Sequence, residues 1–210
     1  MSRIEAVISD FGGVLTSPLI ESYAAVQESS GVPLDALGRA MAAIAERNGS
    51  NPLFELETGR LTEAEFLEGL GRELTQQLGR PVSMRDFGER FFENLHPNAR
   101  MLEFMRGLRD RGYKLGICTN NVREWEPKWR SKLPVDEIFS VVVDSAFVGA
   151  RKPDRKIYEI TLDRLGVPAQ AALLIDDVEL NCTAARDFGM HAVWFRETDQ
   201  AIAEIEAHLR

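Results

Sequence analysis

Four short stretches put side chains fit for acid, base or metal chemistry directly after apolar runs. Asp10 follows the run at residues 6–8 and precedes Phe11-Gly12-Gly13. Ile117-Cys118 leads into Thr119-Asn120-Asn121, a hydroxyl and two amides. Gly149-Ala150-Arg151-Lys152-Pro153-Asp154 carries a lysine toward a helix, and Leu173-Leu174-Ile175 runs straight into Asp176-Asp177, with Asn181 close behind. Singly, each has an ordinary structural use. Asp10 can cap a turn, Thr119 or Asn120 can cap a helix, and a lone lysine is usually a solvated loop charge. Asp176 and Asp177 also suit a helix N-terminus, where the dipole favours negative charge. Jointly, they are the set that hydrolysis of a phosphate ester requires. One carboxylate can act as nucleophile. Others can hold a hard divalent cation through oxygen, and Mg²⁺ suits such a set. A hydroxyl and a lysine can meet the charge on phosphoryl oxygens.

The elements implied by the sequence would gather these groups. Residues 6–8 read as a buried strand ending in a glycine turn. Residues 19–30, 34–47, 62–78 and 83–94 space their apolar side chains by three and four, which predicts helices without an intervening strand. Thr62 and Glu65 carry the capping-box signature at the head of the third. Gly31-Val32-Pro33, residues 48–52 and Gly79-Arg80-Pro81 punctuate this block. From Pro97 the rhythm alternates: helix at 99–111, strand at 114–118, helix at 122–132 interrupted by Pro127, and strand at 139–144. Helix 154–165, strand 171–175, helix 178–188, strand 191–195 and helix 198–209 follow. This alternation predicts an α/β fold with a parallel sheet covered on both faces. The expected organisation is an α/β core from residues 1–16 and 97–210, with a helical insert at 17–96. Parallel strands end on one edge, so the four stretches are expected to meet there.

The bulk composition narrows the partners. A formal net charge of −8 argues against a nucleic-acid partner, which would need a basic face. It leaves room for an anionic small-molecule substrate, because a local field can oppose the global charge. With no signal-peptide pattern ahead of residue 4 and no long apolar run, the sequence predicts a cytoplasmic protein with no membrane association. Cys118 and Cys182 have no metal-ligand spacing. No signal of oligomeric state is present.

The combination Asp10-Phe11-Gly12-Gly13-Val14, Thr119-Asn120, Lys152-Pro153 and Asp176-Asp177-x-x-x-Asn181 resembles the haloacid dehalogenase superfamily. The helical insert is similar to that superfamily's C1 cap on a Rossmann-like core, as in its subfamily I. Residues 54–62 look like a recurring cap signature. Residues 148–209 are similar to the phosphatase domain of soluble epoxide hydrolase and to bacterial glucose-1-phosphate phosphatase-like proteins, and the superfamily resemblance covers essentially the whole chain. The resemblance implies a Mg²⁺-dependent phosphomonoesterase acting on a small phosphorylated metabolite, sugar phosphates included. By position it makes Asp10 the nucleophile and a Mg²⁺ ligand. Asp177 and the backbone carbonyl of Gly12 would be further ligands. Thr119, Asn120 and Lys152 would bind the phosphoryl group, with Asp176 and Asn181 in support.

One position departs from that pattern. The superfamily's phosphatases usually carry an acid–base Asp two residues after the nucleophile, and here that residue is Gly12. General acid–base help is worth about 10²–10⁴ in rate. Without it, poor leaving groups are expected to be slow, and good ones to give a burst followed by slow turnover, unless a cap residue supplies the proton. Gly12→Asp is then expected to help, provided the glycine does not need a positive φ. Phe54, Glu57 and Arg60 are candidate specificity residues of the insert. Arg123, Trp125 and Trp129 suit the entrance and the core equally. Two other readings stand beside the phosphatase. A 2-haloacid dehalogenase needs the Asp nucleophile but no metal, and a phosphate-binding regulatory protein needs the pocket without turnover.

Overall fold

The computed structural model describes residues 3–210; residues 1 and 2 of the expected core segment lie outside the described residues. Its sheet has five strands: β1 (Ala6–Ser9), β2 (Lys114–Thr119), β3 (Val141–Asp144), β4 (Ala172–Asp176) and β5 (His191–Trp194). All neighbours pair in parallel, in the order β3-β2-β1-β4-β5. The strands are apolar almost throughout because both sheet faces are covered. In β1, Val7 faces one core while Ala6 and Ile8 face the other, as a period of two demands.

Twelve α-helices lie among the described residues. Six fall between β1 and β2, the first five of them in the helical block: α1 (Leu19–Ser30), α2 (Leu34–Asn48), α3 (Pro52–Glu57), α4 (Glu63–Leu78) and α5 (Phe87–Glu93). The others are α6 (Ala99–Asp110), α7 (Glu126–Arg130), α8 (Val135–Ile138), α9 (Ser145–Val148), α10 (Arg155–Leu165), α11 (Glu179–Asp187) and α12 (Thr198–His208). Ile157, Tyr158 and Leu162 of α10, with Cys182 and Ala185 of α11, cover one sheet face. Met101, Met105 and Leu108 of α6 and Ile205 of α12 cover the other. That second cluster continues without a break through Phe11 and Trp129 into Leu37, Phe66, Leu70 and Phe91 of the helical block.

The chain enters and leaves the helical block at one place. Thr16 and Pro97 form an antiparallel bridge, and Ser17 N–H donates to the His96 carbonyl at 2.7 Å. Asn98 donates from its backbone N–H to the Leu15 carbonyl at 2.9 Å, and from its side chain to the Val14 carbonyl at 3.0 Å. The two connecting segments are thereby stitched together.

Several local expectations shift. The helix expected at 83–94 is confined to α5, and residues 83–85 precede it as irregular chain. Residues 48–52, read as a break, contain the start of α3. There Asn51 accepts from Leu53 N–H at 3.0 Å, and Pro52 sits in the first turn, where its missing donor costs nothing. Pro127 likewise lies in the first turn of α7, after a short 3₁₀ turn at Arg123–Trp125, so it opens that helix and does not interrupt it. Phe139 lies outside β3 because its N–H closes α8 on the Val135 carbonyl. The Thr62–Glu65 capping box forms as expected. Thr62→Ala should destabilise the protein by about 1 kcal/mol, read as a lower urea midpoint with an unchanged slope. An unshifted midpoint would show that the head of α4 is held by packing alone.

Candidate active site

The topology sets the place. The chain runs outward from β1 to β2 and β3, then returns to β4 beside β1. This makes the gap beyond the carboxyl ends of β1 and β4 the switch point where open α/β sheets bind ligands. Asp10 leaves β1 and Asp176-Asp177 end β4, so the three carboxylates flank that gap. Asp10 N–H donates to the Ile175 carbonyl at 2.8 Å, which fixes the two strand ends against each other. One carboxylate oxygen from each of Asp10, Asp176 and Asp177 lies within 4.8 Å of the others.

Lys152 is the counter-charge. Its Nζ donates to Asp176 Oδ2 at 2.6 Å and pairs with Asp10 Oδ1 at 2.9 Å, and its side chain is 1% exposed. Burial alone would lower its pKa, but the Asp10 and Asp176 carboxylates hold it well above the ordinary lysine value. Asp176 is fully buried and also accepts from Val178 N–H and from Asn181 Nδ2, each at 2.9 Å. Asp176 and Asn181 thus meet beside the lysine.

Asn120 sits beside the lysine in an unexpected way. Its Oδ1 accepts from Lys152 N–H at 2.7 Å and its Nδ2 donates to the Lys152 carbonyl at 3.0 Å. With both ends of the amide on one backbone, the side chain holds the lysine's loop in place. Thr119 is buried, and its hydroxyl reaches only the Asn120 carbonyl, at 3.5 Å, too long for a strong hydrogen bond.

The three carboxylates outnumber the one ammonium beside them. Burial and the Asp176 and Asp177 carboxylates raise Asp10 to about 7 despite Lys152. Burial and Asp176 raise Asp177 to about 6. Three carboxylates facing one ammonium, with oxygen donors only, fit a hard divalent cation. Gly13 leaves room for this crowding. It adopts φ 76°, and a Cβ there would collide with Asp177 Oδ2. Gly12 is different, because its φ is not in the left-handed region. A Cβ on Gly12 would instead lie 2.9 Å from Leu19 Cδ1 of α1, the end of a flexible side chain that can shift, so neither the backbone nor a fixed neighbour requires glycine there.

Above these groups lies a cavity of about 340 Å³ between the sheet edge and the helical block. Asp10, Gly12, Thr119 and Asn120 form its floor, and Leu19, Leu37, Met41, Phe66, Phe91 and Trp125 line much of the rest. Of the candidate specificity residues, Glu57 lines the cavity. Phe54 does not; it lies under the Arg151 guanidinium, 3.8 Å from its ring centroid. Arg60 is exposed and pairs with Glu55 at 2.6 Å. Trp125 is a lining residue whose Nε1 donates to Glu63 at 2.7 Å, whereas Trp129 is core, packed on Phe11. Arg123 donates to the Ala146 carbonyl outside the cavity.

Sequence reasoning missed the partnership of Glu57 with Arg151, joined at 2.6 Å across 94 residues. Arg151's place beside Lys152 was the one available signal. Among the described residues no helix is long and apolar enough to cross a membrane.

A family model described as haloacid dehalogenase-like hydrolase matches residues 55–195. A phosphorylated carbohydrates phosphatase of Thermotoga maritima is 31% identical over 91% of this chain and 84% of its own. Bifunctional epoxide hydrolase 2 of Sus scrofa is 27% identical over 97% of this chain and 38% of its own. The chain spans only 19% and 38% of the length of some curated relatives it matches. Among solved structures, a HAD family enzyme of Bacteroides thetaiotaomicron, in complex with magnesium and inorganic phosphate, superposes with TM-score 0.63. It is 21% identical and the match covers 90% of this chain and 93% of that one. A 2-haloacid dehalogenase of Pseudomonas syringae superposes with TM-score 0.66 at 19% identity, over 98% of both chains. These two likenesses speak for the fold.

Proposed function

The chain belongs to the haloacid dehalogenase-like hydrolases, and from that premise we propose that it is a magnesium-dependent phosphomonoesterase working through a phospho-aspartate. The observation that carries the reading is the carboxylate trio of Asp10, Asp176 and Asp177, two of them paired with a single buried lysine. A dehalogenase needs the nucleophile but has no use for the second and third carboxylates, so the trio favours phosphoryl transfer.

In this reading Asp10 attacks phosphorus and the leaving oxygen departs into the cavity. Lys152 favours the ionised form of Asp10 against burial and, with the Thr119 hydroxyl, meets the phosphoryl charge. Asn120 positions the lysine's loop, and Asp176, held by Asn181, positions its ammonium. Asp10, Asp177 and the Gly12 carbonyl would hold Mg²⁺. When bound, the ion supplies positive charge to the phosphoryl oxygens as negative charge builds on them. Residues 17–96 act as a cap that closes over the bound ester. The apolar lining suits a leaving group with substantial hydrocarbon surface. A bare sugar would leave buried hydroxyls without partners, at a cost of about 1–3 kcal/mol each.

The test is phosphate release from a panel of aryl, alkyl and sugar phosphates, with Mg²⁺ and with a chelator. Magnesium-dependent release is expected, fastest for apolar esters. Halide release from 2-haloacids that survives the chelator would favour the dehalogenase instead.

Stability gives a second measure of the metal. The folded protein keeps protons on Asp10 to about pH 7 and on Asp177 to about pH 6, whereas unfolded aspartates lose theirs near about 4. The folded state therefore binds more protons in that window, and metal-free stability falls as pH rises through it. Mg²⁺ at roughly 100 times its Kd should add about 2.7 kcal/mol. The rise in Tm is expected to be larger at pH 8 than at pH 5, and lost in Asp177→Ala. A Tm indifferent to Mg²⁺ at pH 8 would count against the metal.

A further inference from the structure

Gly12 offers no side chain, and so no proton donor, two residues after Asp10. A donor for the leaving oxygen must then come from elsewhere in the cavity. The lining contains four titratable side chains among the described residues: Asp10, Tyr23, Glu57 and Glu63. Asp10 is the nucleophile. Glu63 accepts from Trp125 Nε1 at 2.7 Å and, unlike Glu57, has no ion pair among the described residues to the loop that carries Lys152. Burial and the Glu57 carboxylate push the Tyr23 hydroxyl above its ordinary value of 10, leaving it a weak acid and no base near neutrality. Glu57 remains.

Its surroundings fit the task. Glu57 ends α3, and its side chain is 15% exposed. Oε2 accepts from Arg151 Nε at 2.6 Å, while no hydrogen bond engages Oε1 among the described residues. Arg151 is itself fixed against the Phe54 ring and adjoins Lys152 in sequence. The turn after Glu57 is pressed onto the sheet domain. Gly59 adopts φ 69°, and a Cβ there would collide with the Ala146 carbonyl and approach Arg123 Nη2. The carboxyl is thus carried by the helical block, while its segment is tied to the sheet domain at Arg151 and at Ala146. Burial raises its pKa against the opposing pull of Arg151 and Lys152, so it retains a proton further toward neutrality than an ordinary glutamate.

Resting on the phosphomonoesterase reading, the geometry points to Glu57 as the general acid and base of the reaction, in place of the residue missing at Gly12. In the first half, an Asp10 oxygen bonds to phosphorus, the bond from phosphorus to the leaving oxygen breaks, and that oxygen takes the Glu57 proton to leave as the alcohol. In the second half, the Glu57 carboxylate takes a proton from water as the water oxygen bonds to phosphorus. The acyl phosphate bond breaks, and inorganic phosphate and the Asp10 carboxylate are released. Glu57 ends protonated, as it began.

Rapid-mixing kinetics of wild type and Glu57→Gln test this, on aryl phosphates of graded leaving-group pKa with Mg²⁺. Wild type is expected to give linear time courses, with rates nearly indifferent to leaving-group pKa. Glu57→Gln should give a stoichiometric burst of a good leaving group, then steady turnover slower by about 10²-fold, with rates falling steeply as leaving-group pKa rises. The burst itself reports a folded protein with a working nucleophile, which a merely structural loss would not leave. A Glu57→Gln protein with a flat dependence and no slowing overturns the proposal. So does a wild type whose own rates fall steeply, even if the variant does not fold. Absence of phosphate release from every ester by wild type is a different failure, and overturns the phosphomonoesterase reading together with this one.

Discussion

Asp10→Asn should fold like the wild type and lose turnover by at least ~10⁴-fold, the scale on which removal of a nucleophile acts. The amide matches the carboxylate in shape but is a poor nucleophile, so no acyl phosphate forms. Lys152 keeps Asp176 at 2.6 Å, and its charge is not stranded. Asp10 is held near about 7 by burial and neighbouring carboxylates, so an amide relieves crowding and metal-free stability should not fall. Phosphate release, with intact mass after acid quenching, checks both halves. Glu57→Gln should accumulate a phosphoryl adduct during its slow phase, and the same protein carrying Asp10→Asn should show none. An Asp10→Asn protein turning over at near wild-type rate would remove Asp10 from the nucleophile's role.

Lys152→Met should be costly in two currencies at once. The side chain is 1% exposed between two carboxylates, and its removal leaves buried negative charge uncompensated. Breaking a buried pair in this way costs about 3–5 kcal/mol. Turnover should fall by about 10³-fold, because Asp10 then holds its proton more tightly and the phosphoryl charge loses a donor. Added Mg²⁺ should recover part of the stability and little of the rate. Urea unfolding with and without Mg²⁺, alongside kcat, separates the two effects. Wild-type stability in the variant would mean that the carboxylates are neutral in the folded protein.

The frame of this site was readable because local rules and the global fold agree in it. Short apolar runs locate all five strands, and the polar residues that follow β1, β2 and β4 are the ones that reach the site. The helix at 19–30 has its expected bounds, ended by Gly31 at φ 64°. What was not legible is what depends on distance in sequence. The burial of Lys152 rests on two carboxylates and on an amide 32 residues away. Glu57 becomes meaningful only beside Arg151 and under the roof of the cavity. Short helices also escaped. At six residues α3 is too brief for a period, although Asn51-Pro52 carried a start signal, and α8 and α9 have four residues each. The pairing at Gly12 shows a third limit. The glycine suggested a backbone need, yet its φ lies outside the left-handed region and its nearest neighbour is the movable end of Leu19 on a different element.

The stitch between Thr16 and Pro97 bears on descent. Because the helical block departs and returns at one bridged point, its replacement or enlargement leaves the strand order and the three carboxylates where they are. Chemistry and selectivity therefore sit on separately heritable parts: the sheet edge transmits the reaction, and the inserted segment is free to be rewritten for each new molecule that reaches it. Glu57 is the exception that ties them. A lineage with glycine two residues after its nucleophile cannot exchange the insert freely, since the exchange would carry away a proton that the reaction uses.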